Sequence, residues 1–210
     1  MMVSKRNQIL CVLLVLIGGV GCAPETGPSD LYANEHGALE QKTQGLSTWA
    51  TELTALLAAN DADVQQAFTL VETEQARALS DAEVNAFQQV QARIQARSAT
   101  IATLFDRGNA LQIALFSDLY QLLGKLDAGA KHCALDQKFE SSLSLVRADI
   151  SGAWPELESA YHSALRAGSE QLGNRAGFSC EDFGAAYAQM RVDAQQRVEQ
   201  VNLLMASFAQ

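Results

Sequence analysis

The fold class is decided by residues 181–208, EDFGAAYAQMRVDAQQRVEQVNLLMASF. Apolar residues recur there at steps of three and four, at Phe183, Tyr187, Met190, Ala194, Val198, Val201, Leu204 and Phe208. This spacing places them on one face of an α-helix. Glu181 and Asp182 fall in the predicted first turn, where the helix dipole favours negative charge. The stretch therefore predicts a long amphipathic helix.

The same period recurs upstream in six further segments. Their apolar stripes cover residues 31–57, 64–78, 84–105, 111–126, 135–150 and 157–165. Short turns between successive helices make neighbouring helices antiparallel. We therefore expect an all-α fold, an antiparallel bundle of about six to seven helices that forms a single domain over residues 30–210.

Local signals predict where these helices begin and end. Ser80-Asp81-Ala82-Glu83 matches a capping box, which favours a new helix from about residue 81. Pro155 follows the turn sequence Ser-Gly-Ala-Trp, and proline is favoured in the first turn of a helix. Polar or glycine-containing segments predict further breaks at residues 60–63, 108–109, 127–130 and 168–179.

Composition and charge exclude several classes of protein. Of the 210 residues, 48% are hydrophobic and 19% are charged, and the formal net charge is −9. With a mean hydropathy of −0.02, the chain matches neither a disordered protein nor a protein with several membrane spans. The acidic balance argues against nucleic acid as a partner, because nucleic-acid binding needs a basic surface.

Residues 1–21 have the pattern of a secretory signal peptide. Lys5 and Arg6 give a basic start, residues 9–17 form an uninterrupted apolar run, and small residues follow. The apolar run is too short to span a bilayer, which takes about 20 residues. We therefore expect residues 1–21 to be removed on export.

The end of this segment, Gly19-Val20-Gly21-Cys22, resembles the lipobox of bacterial lipoproteins. Gly19 stands where that family prefers leucine. The resemblance implies that Cys22 carries fatty acids such as palmitate. The composition of residues 23–29, APETGPS, indicates a short extended segment, so residues 22–29 are expected to form the lipidated tether. Ala23, in place of aspartate, implies sorting to the outer membrane, with the protein facing the periplasm. Several acyl chains would hold it stably on the membrane.

The remaining cysteines predict a disulfide. Cys11 would leave with the signal peptide and Cys22 would be lipidated, which leaves Cys133 and Cys180 in an oxidising compartment. The two cysteines precede the fifth and seventh predicted helices, which begin at the same end of an antiparallel bundle. We therefore expect a Cys133–Cys180 bond, with two separate buried thiols as the alternative.

Catalytic and cofactor motifs are missing from the sequence, so we expect a protein that is not an enzyme and has no cofactor or metal. Glu158 and His162 share a helix face, but a surface ion pair is the simpler interpretation. Met190 and Met205, with His132 or His162, are the only candidate haem ligands. Met190 falls in the apolar stripe and is better explained as a core residue.

These observations favour an accessory or adaptor lipoprotein that binds another envelope protein. Removing Lys5 and Arg6 leaves 13 basic and 24 acidic residues, a net charge of −11. Trp154 is a candidate partner surface, although it could instead cap one end of the bundle. Two alternatives stay open: a bundle that binds lipid, haem or metal, and an immunity or inhibitor protein against a basic toxin or a cell-wall hydrolase.

Overall fold

The computed structural model describes residues 32–135, 152–174 and 178–208. Of these residues, 92% are helical and none is in a strand. The predicted all-α class is therefore confirmed.

Four helices account for the described chain: α1 (Ala33–Ala76), α2 (Asp81–His132), α3 (Trp154–Gly173) and α4 (Cys180–Phe208). The expectation of six to seven helices is wrong for the described residues. The first two predicted helices merge into the 44-residue α1, and the next two merge into the 52-residue α2. The predicted fifth helix, over 135–150, lies outside the described residues except for Leu135.

The predicted breaks fail where a polar or small residue serves packing between helices. Asp63, in the expected break at 60–63, is 8% exposed and binds two arginines of α2. Gly108 lies against the indole of Trp49. Asp127 is fully buried within α2, and Gly168 packs on Ala128 within α3. An α-helix tolerates each of these residues when tertiary contacts repay its lower helix propensity.

The boundary predicted near residue 81 is confirmed. The backbone N–H of Ser80 donates to the Glu83 carboxylate (2.8 Å), and the N–H of Glu83 donates to Ser80 Oγ (3.4 Å). These reciprocal bonds form the capping box that begins α2. Pro155 also lies in the first turn of α3, as expected.

Contacts between residues divide the chain into two compact units. Among the described residues, unit 1 contains 32–47 and those from 111 onward, so it includes α3, α4 and parts of α1 and α2. Unit 2 contains residues 48–110. It is a helical hairpin, formed by the rest of α1 and α2 and the connection at residues 77–80.

Unit 1 has an extensive apolar core drawn from all four helices. The stripe predicted for residues 181–208 is confirmed, since it supplies the residues of α4 that are buried: Phe183, Tyr187, Ala194, Val198, Val201 and Leu204. The other helices contribute large side chains that are at most 2% exposed, among them Leu39, Leu46, Leu115, Phe116, Leu119, Tyr120 and Tyr161.

The last turn of α2 leads directly into the cysteine pair. Cys133 and Cys180 lie at disulfide distance, as predicted, with 5.4 Å between their Cα atoms. Ala134 adopts a positive φ of 50°, and the N–H of Leu135 donates to the carbonyl of Ala130 (2.9 Å). This is the Schellman ending that stops a helix. The pair therefore joins the end of α2 to the start of α4.

Candidate functional site

The base of the hairpin, residues 48–53 and 90–110, packs around Trp49. The Trp49 indole N–H donates to the carbonyl of Leu104 (2.6 Å), and its ring fills the space that a side chain at Gly108 would need. Ala50, Leu53, Val90 and Leu104 are also buried. The base is therefore a small but complete core.

The hairpin tip, residues 54–89, differs from the base. Its only buried residue is Asp63; every apolar side chain there is half-buried or exposed. Phe68 is 60% exposed, and Val71 and Val84 are 37% and 41% exposed. Two helices can cover only the faces that they turn toward each other. The tip therefore presents apolar surface with no helix packed on it among the described residues of unit 2.

Asp63, on the α1 side of the tip, binds two arginines on the α2 side of the base. Arg93 donates to both of its carboxylate oxygens (2.7 Å to Oδ1 and 3.1 Å to Oδ2), and Arg97 donates to Oδ2. These donors, Arg93 foremost, lower the pKa of Asp63 from 3.8 to about 2. Both arginines therefore reach from α2 across to α1.

A second charged group closes the end of the tip. Arg77 donates to both oxygens of Glu83 (2.9 and 2.6 Å). Arg77, together with the capping bonds from Ser80, lowers the pKa of Glu83 to about 2. The turn between α1 and α2 is therefore fixed by a bidentate ion pair and a capping box that share one carboxylate.

Acidic residues without a described ion pair lie on either side of the turn in the chain. Glu72, Glu74 and Asp81 are exposed, and no described cation pairs with any of them. Each of the four arginines of unit 2 binds a carboxylate of the same unit. The fourth is Arg107, which binds Glu52 (2.8 Å). Unit 2 has no lysine. The surface of the tip therefore combines apolar side chains with unbalanced negative charge.

Unit 1 holds a polar cluster of a different kind. Asp127 is 0% exposed and accepts hydrogen bonds from the hydroxyls of Tyr161 (2.7 Å) and Tyr187 (2.6 Å). Burial, reinforced by Asp127, raises the pKa of Tyr187. The guanidinium of Arg191 lies over the Tyr187 ring at 5.7 Å. Because both oxygens of Asp127 are engaged and shielded from water, the cluster joins α2, α3 and α4 rather than presenting a reactive group.

The other residues singled out in the sequence are dispersed. Trp154 begins α3, is half-buried, and packs edge-on against Tyr120 with 5.8 Å between ring centroids; its role toward a partner stays a prediction. His162 faces Glu158 at 3.9 Å. Met190 and Met205 are both half-buried on α4. Cys22 precedes the described residues, so its lipidation also stays a prediction.

The described residues contain neither a candidate metal site nor a candidate membrane span. No group of three or more His, Cys, Asp or Glu side chains there is arranged to hold a metal ion. None of the described helices has a stretch long and apolar enough to cross a bilayer.

Sequence reasoning missed Asp63 and Asp127 as organising residues, although a signal for Asp127 was present. Asp127 lies four residues after Leu123 and three before Ala130, so it falls on the apolar face of its helix. An acid in such a position indicates a buried hydrogen-bond network as readily as a helix end. Asp63 offered no comparable signal, because its partners lie 30 and 34 residues away.

Comparisons with known proteins give no relative: no protein-family model, no curated protein and no solved structure matches the chain.

Proposed function

We propose that this protein is a non-enzymatic, lipid-anchored adaptor of the bacterial cell envelope. In this proposal Cys22 holds it on the outer membrane, facing the periplasm, and the helical hairpin binds another envelope protein. The observation that carries the proposal is the exposure of large apolar side chains at the hairpin tip, led by Phe68 at 60%.

Exposed apolar surface is informative when it is concentrated in one region. Three of the large apolar side chains that are exposed, Phe68, Val71 and Val84, lie in the tip, whereas the described part of unit 1 has Val192 and Leu203. In a soluble protein, grouped apolar side chains with a polar rim are typical of an interaction surface. The tip has this combination, since Glu72, Glu74 and Asp81 are exposed beside them in the chain.

The cysteines support the envelope location. A disulfide persists in oxidising compartments such as the bacterial periplasm, and Cys133 and Cys180 are placed to form one. In the chain-entropy model, a bond across a separation of 47 residues would stabilise the fold by about 4 kcal/mol. This agrees with the signal-peptide and lipobox pattern of residues 1–22.

An inhibitor of a basic target is the second candidate, and the acidic residues of the tip favour it. Charge complementarity speeds the association of such proteins with a basic partner. The adaptor and the inhibitor differ in what binding does, since an inhibitor abolishes the activity of its target.

Two measurements test the proposed function. Cells given an alkyne analogue of palmitate should label the wild-type protein and leave the Cys22→Ala variant unlabelled. Crosslinking in intact cells, followed by purification, should recover one specific envelope protein with the wild type. Unlabelled wild-type protein would contradict the lipid anchor. Failure to recover a specific protein, with crosslinkers placed on both units, would contradict the adaptor role.

A further inference from the structure

We infer that the hairpin tip binds a basic amphipathic helix of the partner protein. The inference rests on the proposed adaptor function and adds which surface binds and what chemistry the partner segment has. It follows from the apolar stripe on α1 and from the charges around it.

The apolar stripe runs along one face of α1. Val64, Phe68 and Val71 follow one another at intervals of four and three residues, so they lie on one face of α1. The Cα atoms of Val64 and Val71 are seven residue steps apart, or about 10 Å along the helix axis. Val84 and Phe87 give α2 an apolar pair at the same end of the hairpin. A partner helix of about three turns would cover such a stripe, with its own residues at helical spacing as anchors.

Electrostatics select a basic partner. Every arginine of unit 2 already binds a carboxylate within the unit, so none is left to attract an acidic segment. Glu72, Glu74 and Asp81 have no cation among the described residues. Lysine or arginine beside the apolar face of an incoming helix would supply the missing charges.

The position of Glu74 points the same way. It lies in the last turn of α1, which has no basic residue. The C-terminal end of a helix has a partial negative charge, so an acid there is unfavourable. A cation from the partner would relieve this repulsion, whereas an acidic or neutral partner would not.

Other occupants fit the same surface less well. A second copy of the chain would bring an identical acidic rim against this one, and like charges repel. The head groups of anionic lipids would be repelled by the same rim. The partner with the complementary charge is therefore a protein segment with apolar and basic residues on adjoining faces.

Binding to a defined peptide provides the first test. The probe is a fluorescent 14-residue helix of leucine and lysine, and its control has glutamate in place of lysine. The full mature protein, residues 22–210, should bind the lysine probe and not the glutamate peptide. Phe68→Gln should weaken binding about tenfold. The matched control Leu203→Gln changes a side chain that is 63% exposed on α4 and should leave binding unchanged.

The charge contribution is tested separately. The double variant Glu72→Gln/Glu74→Gln should weaken binding of the lysine probe and flatten its salt dependence. Glu40→Gln/Glu170→Gln removes two exposed acids of unit 1 and should have little effect. Because all these positions are exposed, thermal melting should show that each variant is folded.

Photo-crosslinking in cells distinguishes failure of this inference from failure of the adaptor proposal. A crosslinker at position 68 should attach a segment of the partner with a basic amphipathic sequence, and one at position 203 should not. A partner attached only at position 203, or through an acidic segment, would overturn the inference while leaving an adaptor. Three other results would also overturn it. The protein could self-associate in sedimentation experiments, or it could bind anionic vesicles in a way that requires Phe68. Leu203→Gln could also weaken binding of the lysine probe as much as Phe68→Gln does.

Discussion

Unit 1 and the hairpin tip are built from the same two long helices, yet they bury their residues differently. In unit 1, α3 and α4 add further faces, and side chains such as Phe116 and Phe183 are wholly buried. In the tip, α1 and α2 are alone within unit 2, and the sole buried side chain is the carboxylate of Asp63. The comparison teaches that helix continuity and burial are separate properties: a helix extends by local bonding, but it is covered only where enough neighbours surround it.

The largest expected effect contrasts two aromatic residues of α1. Trp49→Ala should destabilise the protein by about 3–5 kcal/mol, because it empties the hairpin base and removes the bond to Leu104. Phe68→Ala should change stability by no more than about 0.5 kcal/mol, since its side chain is mostly in water. Chemical denaturation measures both. A large loss for Phe68→Ala would mean that the tip is covered within the protein itself.

The two buried carboxylates provide the next contrast. Asp127→Ala should cost about 3 kcal/mol, because the hydroxyls of Tyr161 and Tyr187 lose their acceptor in a buried site. Asp63→Ala should cost less, since the side chains of Arg93 and Arg97 are 42% and 26% exposed and can be solvated. Denaturation curves of the two variants should show this order. Equal losses of stability would contradict the conclusion that Asp127 is in a more strongly buried site than Asp63.

Alanine substitutions at two helical glycines should change stability by smaller amounts and in opposite directions. A Cβ at Gly124 would collide with the backbone carbonyl of Tyr161 on α3, so Gly124→Ala should destabilise unit 1 by about 1–3 kcal/mol. Gly37 has nothing nearby, and Gly37→Ala should stabilise α1 by up to about 1 kcal/mol. Thermal melting should shift down for the first variant and up for the second. An upward shift for Gly124→Ala would contradict the close packing of α2 on α3.

The smallest expected effect is the loss of local stability in the hairpin tip at low pH. Folding lowers the pKa of Asp63 and Glu83 from 3.8 and 4.5 to about 2. Their contribution to stability is therefore complete above about pH 4.5 and is lost as the pH falls toward 2. Hydrogen exchange should show the tip amides losing protection over this range. The variant Asp63→Asn/Glu83→Gln should lose less protection on acidification, and an unchanged acid response would contradict the assignment.

The sequence was sufficient for features encoded within a few residues. The helical class, the α4 stripe, the Ser80–Glu83 cap and the position of Pro155 follow from short-range periodicity and hydrogen bonding. The pairing of Cys133 with Cys180 followed from counting cysteines and from helix direction. These predictions did not depend on which distant side chains would meet.

The predicted number of helices was wrong because polar and small residues can either end a helix or pack between two helices. Gly108 and residues 60–63 and 127–130 resemble helix ends when only neighbouring residues are considered. The structure places Gly108 against Trp49 and Asp127 between two tyrosines, contacts that span more than 30 residues. The exposure of the tip could not be predicted from the sequence either, since its apolar stripe has the same spacing as a buried stripe. Whether that face is covered depends on how many helices surround it.

The turn at residues 77–80 has a consequence for the order in which the chain can assemble. Contacts outward from it join residues 6, 30 and 55 positions apart: Arg77 with Glu83, Asp63 with Arg93, and Trp49 with Leu104. Each one shortens the loop that the next must close, so the hairpin can zip from its turn without waiting for distant segments. Thr43 and Arg197, 154 residues apart, can meet only after α4 has been made. The surface proposed for the partner would then be among the first to form.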